Sequence, residues 1–155
     1  MPAFKFVAEL MTRRKFKGLS QTQDEALVDV LTAAKAIDGQ LRDVEREELM
    51  RIMEKLDWNG TMSMAAYVED SIERATKIEV IPAELERFFD DIGDRLEEDW
   101  LREEAYYLAS RIVLADDQIM ENERLLLKYM VKGFGISADK QQLIIRKIRG
   151  EIGMI

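Results

Sequence analysis

The sequence contains no cysteine and no histidine, and only two of its 155 residues are proline. The missing cysteines and histidines exclude disulfides, Cys/His zinc sites and thiol nucleophiles, and they remove the usual general base of enzymes. No apolar run approaches the ~20 residues that a membrane span requires, and no signal-peptide core is visible. These absences favour a cytoplasmic protein.

Basic residues are also scarce relative to acidic ones. The chain has 31 acids and 23 bases, which gives a formal net charge of −8. This balance argues against general nucleic-acid binding, because phosphate contacts need a basic surface. The length suits one domain, and 47% apolar residues is ordinary for a globular protein.

The first 18 residues differ in charge from the rest. Five bases and one acid give residues 1–18 a charge of +4, so the remaining chain carries −12. Apolar positions 4, 7 and 11 fall on one helical face, which predicts a basic amphipathic helix. This helix either lies on an anionic membrane or acidic partner, or packs on its own acidic domain. Its basic cluster consists of Arg13, Arg14, Lys15 and Lys17.

One pattern occurs twice in the chain. Residues 38–49 and 116–127 share D-x-Q-Φ-x-x-x-E-R-x-x-L, where Φ is Leu or Ile. Each copy follows one apolar helical stretch and precedes another, so each predicts a helix–loop–helix unit with acids on both sides of the turn. The acids of the two turns are Asp38, Glu45, Asp116, Asp117 and Glu123.

Helical spacing of apolar residues continues along the chain and predicts an all-α fold of about eight helices. A single domain over 19–155 contains an internal repeat, about 22–76 and 98–150, and residues 77–82 form an extended connector. Pro82 suits the first turn of a helix, and Gly133 is expected to end one.

The two turns resemble those of the TerB-like (tellurite resistance protein B) family. The segment from Ala36 to Leu41 together with Glu45 fits the family pattern closely, and the second copy differs from it because Asp117 replaces the expected Gly. The resemblance covers about 22–148. It implies a bacterial, pseudo-symmetric helical domain that binds divalent metal through acidic residues. It also implies a role in tellurite resistance or stress response, with protein partners that include TerC-type membrane proteins.

The turns are not EF-hands, although their acids and Gly match part of that loop. The earlier ligand positions hold Ala34 and Ala36 in one copy, and Ile112 and Leu114 in the other, and none has a side-chain oxygen. Two carboxylates per turn predict a weak site of about 10⁻⁴–10⁻³ M. Calcium is the favoured ion, because every available ligand is a hard oxygen.

Two other interpretations of the turns remain open, namely internal ion pairs and a partner surface. The repeated arginines, Arg46 and Arg124, can pair with Asp38 and Asp116, which otherwise sit unfavourably at helix C-termini. Capping explains the glutamates less well, because a capping box needs Ser, Thr, Asp or Asn where Arg42 and Met120 stand.

An enzyme is the least favoured class. Glu45 and Glu48 share a helical face, but Leu126 occupies the position equivalent to Glu48, and no phosphate loop or nucleophile motif is present. The sequence therefore predicts a non-enzymatic, metal-responsive binding or scaffold protein. The alternative is a metal-independent interaction domain, which the basic N-terminus recruits to a membrane or an acidic partner.

Overall fold

The computed structural model describes residues 16–37, 41–114 and 119–153, and these residues contain helices but no strand. This confirms the all-α class. The described residues hold seven helices rather than about eight, because most of the predicted N-terminal helix lies outside them. The helices are α1 (Gln21–Ala36), α2 (Asp43–Met53), α3 (Met64–Lys77), α4 (Pro82–Leu96), α5 (Asp99–Val113), α6 (Glu121–Phe134) and α7 (Ala138–Gly153).

Helix α1 lies at the centre of the fold. Its start is fixed by a capping box, in which the Gln23 amide donates to Ser20 Oγ at 3.1 Å and the Ser20 amide donates to Gln23 Oε1 at 2.9 Å. Buried residues then occupy nearly every side of the helix, and it packs against α3, α4 and α5. Because α1 is covered on nearly all sides, the core forms around it.

Helices α4 and α6 cross closely because glycines stand at the crossing. A Cβ on Gly133 would lie 2.7 Å from the Cβ of Phe89, and a Cβ on Gly93 would lie 2.8 Å from the Gly133 carbonyl oxygen. Gly133 is therefore a packing residue inside α6, and its prediction as a helix end is wrong. Helix α6 ends two residues later at its C-cap Gly135, whose φ of 66° is the left-handed conformation that glycine adopts readily.

Residues 78–81 form the predicted extended connector, and Pro82 begins α4. The connector follows the first three helices, α1–α3, and precedes the other four, α4–α7. The predicted repeat pairs α1–α3 with α5–α7. Adding the 78-residue offset of the repeat (116 minus 38) to α1 gives 99–114, which α5 matches, and adding it to α2 gives 121–131, which lies in α6. Superposition of the two halves stays a prediction.

The third helices of the two halves are attached differently. Helix α3 packs on both α1 and α2, whereas α7 packs mainly on α5. Ile148 is the one fully buried residue of α7. The facing sides of α6 and α7 consequently leave a groove. Among the described residues, no helix combines the length and the apolar character needed to cross a bilayer.

Candidate functional site

Glu45, a predicted metal ligand, is held by cationic and backbone groups. Its Oε1 accepts hydrogen bonds from the Arg42 backbone amide at 3.2 Å and from Arg42 Nε at 3.1 Å, and its Oε2 lies 2.6 Å from Lys35 Nζ. Burial acts to raise the pKa of Glu45, but the bonds from Lys35 and Arg42 outweigh it and hold the pKa below its ordinary value. The carboxylate thus already has a cationic partner from α1.

Glu123 takes the corresponding position in the second half. Its Oε1 accepts a hydrogen bond from the Met120 backbone amide at 2.9 Å, so both glutamates reach back to the residue before their helix. The side chains of Arg42 and Met120 have no oxygen that could accept a hydrogen bond from the helix in return. The glutamate half of the capping box nevertheless forms at both turns. Capping therefore explains the repeated glutamate, contrary to the expectation from the residue types.

The recurring arginines have partners other than the turn aspartates. Arg46 pairs with Glu69 on α3, and Arg124 Nε donates to Glu121 at 3.0 Å within α6. The predicted ligands Asp38, Asp116 and Asp117 lie outside the described residues. Within 16–37, 41–114 and 119–153, no group of three or more potential metal-ligating side chains assembles.

Of the four residues in the predicted basic cluster, Lys17 is the one that lies within the described residues. Lys17 Nζ donates to the Lys55 carbonyl oxygen at 3.2 Å, and the neighbouring Phe16 is fully buried. Lys17 thus contacts its own domain, and both interpretations of residues 1–18 stay predictions. Arg13, Arg14 and Lys15 lie outside the described residues.

A buried carboxylate that the sequence interpretation missed joins three helices. Asp29 of α1 is 1% exposed, and its oxygens accept hydrogen bonds from Ser71 at 2.7 Å, Tyr67 at 3.1 Å and the guanidinium groups of Arg74 and Arg95 at 3.0 and 2.7 Å. The arginines come from α3 and α4. The signal in the sequence was an acid set between the apolar residues Val28 and Val30 of α1, because a buried acid must find cationic or hydrogen-bonding partners.

Asp24, one turn earlier in α1, has the opposite surroundings. It is also 1% exposed, but neither of its oxygens has a hydrogen-bond partner in the part of the chain that the structure describes. Burial, followed by the negative charges of Asp57 and Glu25, raises the pKa of Asp24 to about 7.

The groove between α6 and α7 is an open site with a mainly apolar lining. It has a volume of about 420 Å³, and Tyr106 of α5 lies beneath it. Half-buried aliphatic side chains line it from three sides, and they are Leu114, Leu127, Val131 and Ile145. A second hollow of about 400 Å³ continues along α7 and shares Ile145 and Arg149 with the groove.

The rim of this groove is basic in an otherwise acidic protein. Residues 121–153 contain seven bases and four acids, a charge of +3, while the chain carries −8. Arg124, which lines the groove, pairs with Glu121. Outside the groove lining, Lys132 pairs with Glu86 and Lys140 pairs with Glu103. No described carboxylate lies within ion-pair distance of Lys128 and Arg149 in the groove, or of Arg146 in the adjoining hollow.

No known family model, curated protein or solved structure matches this chain. The resemblance to the TerB-like proteins thus rests on the two turn motifs, and it stays a prediction. The described geometry offers two kinds of site. The turns present glutamates that are already bonded. The groove presents apolar side chains beside Lys128 and Arg149, which have no carboxylate partner among the described residues. Apolar surface with fixed charges at its edge is suited to binding rather than to proton transfer.

Proposed function

We propose that the protein is a non-enzymatic binding module that seats a helix of a partner protein between α6 and α7. The observation that carries this proposal is that α7 leaves one apolar side of α6 uncovered. Apart from Ile148, the aliphatic residues of α7 are only partly buried or exposed. Apolar grooves of this kind recur where one protein takes the amphipathic helix of another.

The dimensions of the groove suit a helical guest. The α6 wall uses Arg124, Leu127, Lys128 and Val131, which recur at helical spacing on one face. These seven residue steps cover about 10 Å at 1.5 Å per residue. A guest helix with apolar anchors at i, i+4 and i+7 spans the same length, so three anchors can follow the groove.

The proposal is tested with a fluorescein-labelled peptide of about 14 residues that has leucines at i, i+4 and i+7 and glutamines elsewhere. We expect saturable binding by fluorescence anisotropy. Ile145→Ser should weaken binding about tenfold or more, because it removes an apolar wall of the groove. Leu143→Ser is the matched control on the same helix, since Leu143 is 59% exposed and lies outside the groove.

Failure of this peptide and of its acidic and basic versions to bind at about 1 mM would contradict the proposal. Equal weakening by both serine substitutions would also contradict it. That result would mean that the peptide binds α7 without entering the groove.

A second candidate function is the divalent-cation binding that the turn motifs predict. It is favoured by where α1 and α5 end, because Asp38 follows Ile37, the C-cap residue of α1, and Asp116 lies two residues beyond Leu114, the C-cap residue of α5. A carboxylate near a helix C-terminus is unfavourable unless a cation compensates it. Because Glu45 and Glu123 cap helices, a cation would depend mainly on Asp38, Asp116 and Asp117. This version retains the proposed role in tellurite resistance or stress response, with a TerC-type partner.

A further inference from the structure

We propose that the helix seated between α6 and α7 is acidic, with carboxylates that bind Lys128, Arg146 and Arg149. This inference rests on the proposed function and names the chemistry of the partner. The three cations stand beside apolar side chains and have no carboxylate partner within the described residues. We refer to these three residues as the rim cations.

The rim cations select a guest by charge. A guest that covers the groove removes water from nearby cations, and this desolvation is unfavourable unless opposite charge replaces the water. Carboxylates on the flanks of an apolar stripe would supply that charge. A basic guest would add repulsion, so residues 1–18 of this chain, at +4, are a poor occupant.

The rim cations lie where they can face the two flanks of a guest helix. Lys128 lies on the α6 wall, and Arg149 lies on the α7 wall of the same groove. Arg146 extends the positive surface along α7 into the adjoining hollow. Cations on both walls can reach carboxylates on the two sides of one guest helix, while its leucines contact the groove residues.

The concave shape favours a protein helix over a lipid surface. The lining residues Leu127, Val131 and Ile145 are only half exposed between two helices. A flat bilayer does not reach side chains at the bottom of a groove, whereas a helix about 10 Å wide can enter it. Nucleic acid would contact the cations but leave the apolar lining unused.

The test compares three labelled peptides with the same leucine stripe and with glutamate, glutamine or lysine on both flanks. We expect the glutamate peptide to bind at least about tenfold tighter than the glutamine peptide at low ionic strength, and the lysine peptide to bind weakest. The preference should shrink as salt is raised to about 0.5 M, because screening shortens the range of the charges.

A triple variant, Lys128→Gln/Arg146→Gln/Arg149→Gln, should abolish the preference for glutamate while the glutamine peptide still binds. The matched control is Lys77→Gln/Lys132→Gln/Lys140→Gln. It changes the net charge by the same amount but removes cations that already pair with Glu73, Glu86 and Glu103. This control should keep most of the preference.

Equal binding of the three peptides would overturn the inference and leave the proposed function standing, whereas binding by none would overturn both. A preference that the two triple variants reduce equally would also overturn the inference, because it would reflect net charge alone. Sedimentation with phosphatidylserine vesicles that depends on the rim cations, without binding of the glutamate peptide, would assign the surface to lipid instead.

Discussion

Two buried aspartates of α1 show how surroundings decide the role of a residue. Asp29 accepts hydrogen bonds from side chains on α3 and α4, including two guanidinium groups. Asp24 is also buried, but no described group donates a hydrogen bond to its carboxylate. A buried carboxylate is stable when ionised only if donors or cations replace its water, so the two residues affect stability in opposite ways.

We predict that Asp24 makes the fold less stable as pH rises. Its folded-state pKa is raised from 3.8 to about 7, so between these values the folded protein holds a proton that the unfolded chain has released. The contribution of Asp24 to stability is therefore fully present below about pH 4 and is lost progressively as the pH rises to about 7. Asp24→Asn should remove this dependence, which is worth no more than about 4 kcal/mol.

Urea denaturation between pH 4.5 and 8 measures this effect. The difference in unfolding free energy between Asp24→Asn and wild type should grow with pH in favour of the variant. Only the change with pH is diagnostic, because the new amide adds its own constant cost. Glu54→Gln, at an exposed carboxylate, should leave the curve nearly parallel to wild type. A constant difference for Asp24→Asn would contradict the prediction.

At the scale of the elements, the crossing of α4 and α6 depends on two glycines. Gly133→Ala would place a Cβ 2.7 Å from that of Phe89, so the helices must separate or shift. We expect a loss of about 1–3 kcal/mol in unfolding free energy, the cost typical of overpacking. Gly150→Ala on α7 has open space around it and should be neutral or stabilising by up to about 1 kcal/mol. Chemical denaturation of the two variants under one condition checks both values.

The sequence predicted individual helices well because their apolar spacing is a local signal. The first unit of the repeat was predicted to begin at about residue 22, and α1 covers Gln21–Ala36. Pro82 began α4 as expected, since its fixed φ and missing amide suit a first turn. Gly133 shows where local signals fail. Its role depends on Phe89, 44 residues earlier in the chain. Only the contact between these two residues shows that Gly133 lies where α4 and α6 cross rather than at a helix end.

The candidate sites were harder to predict because they are properties of packing. Asp29 meets Arg74 and Arg95 only after α3 and α4 lie against α1. The groove exists because α7 leaves one side of α6 uncovered, and its apolar residues have the same spacing as core residues. The turn glutamates were found from sequence, but their capping role depends on backbone geometry that residue types alone do not give.

At the scale of the whole molecule, the turn motifs predict a calcium response. If the turns of Asp38 and Asp116 each bind one calcium ion at ~10⁻³ M, about 10–20 mM calcium should stabilise the fold by about 1.4–1.8 kcal/mol per site and raise the Tm by about 3–7 °C per site. Asp38→Asn/Asp116→Asn should abolish that rise without lowering the Tm of the metal-free protein. Differential scanning calorimetry with calcium and with potassium at equal ionic strength measures both effects.

The alternative to a cation gives a different result. If the aspartates serve only in ion pairs, wild type shows no calcium response and the double variant melts earlier. A flat titration to about 20 mM would therefore exclude the calcium version, and the Tm of the metal-free variant would then report on the ion pairs.

Helix α7 is attached through fewer buried side chains than α1, and this has a consequence for where the chain opens first. Ile148 is its one fully buried residue, while Ile144, Ile145 and Ile152 are partly buried against the core. Because fully burying one isoleucine supplies only about 1.5–3 kcal/mol, α7 is held less firmly than α1, most of whose residues are buried. The amide hydrogens of α7 should therefore exchange with deuterium through local opening, while those of α1 exchange only when the domain unfolds. A helix seated beside α7 would close that opening. Its binding would then appear as slowed exchange along all of α7, including turns that the guest never contacts.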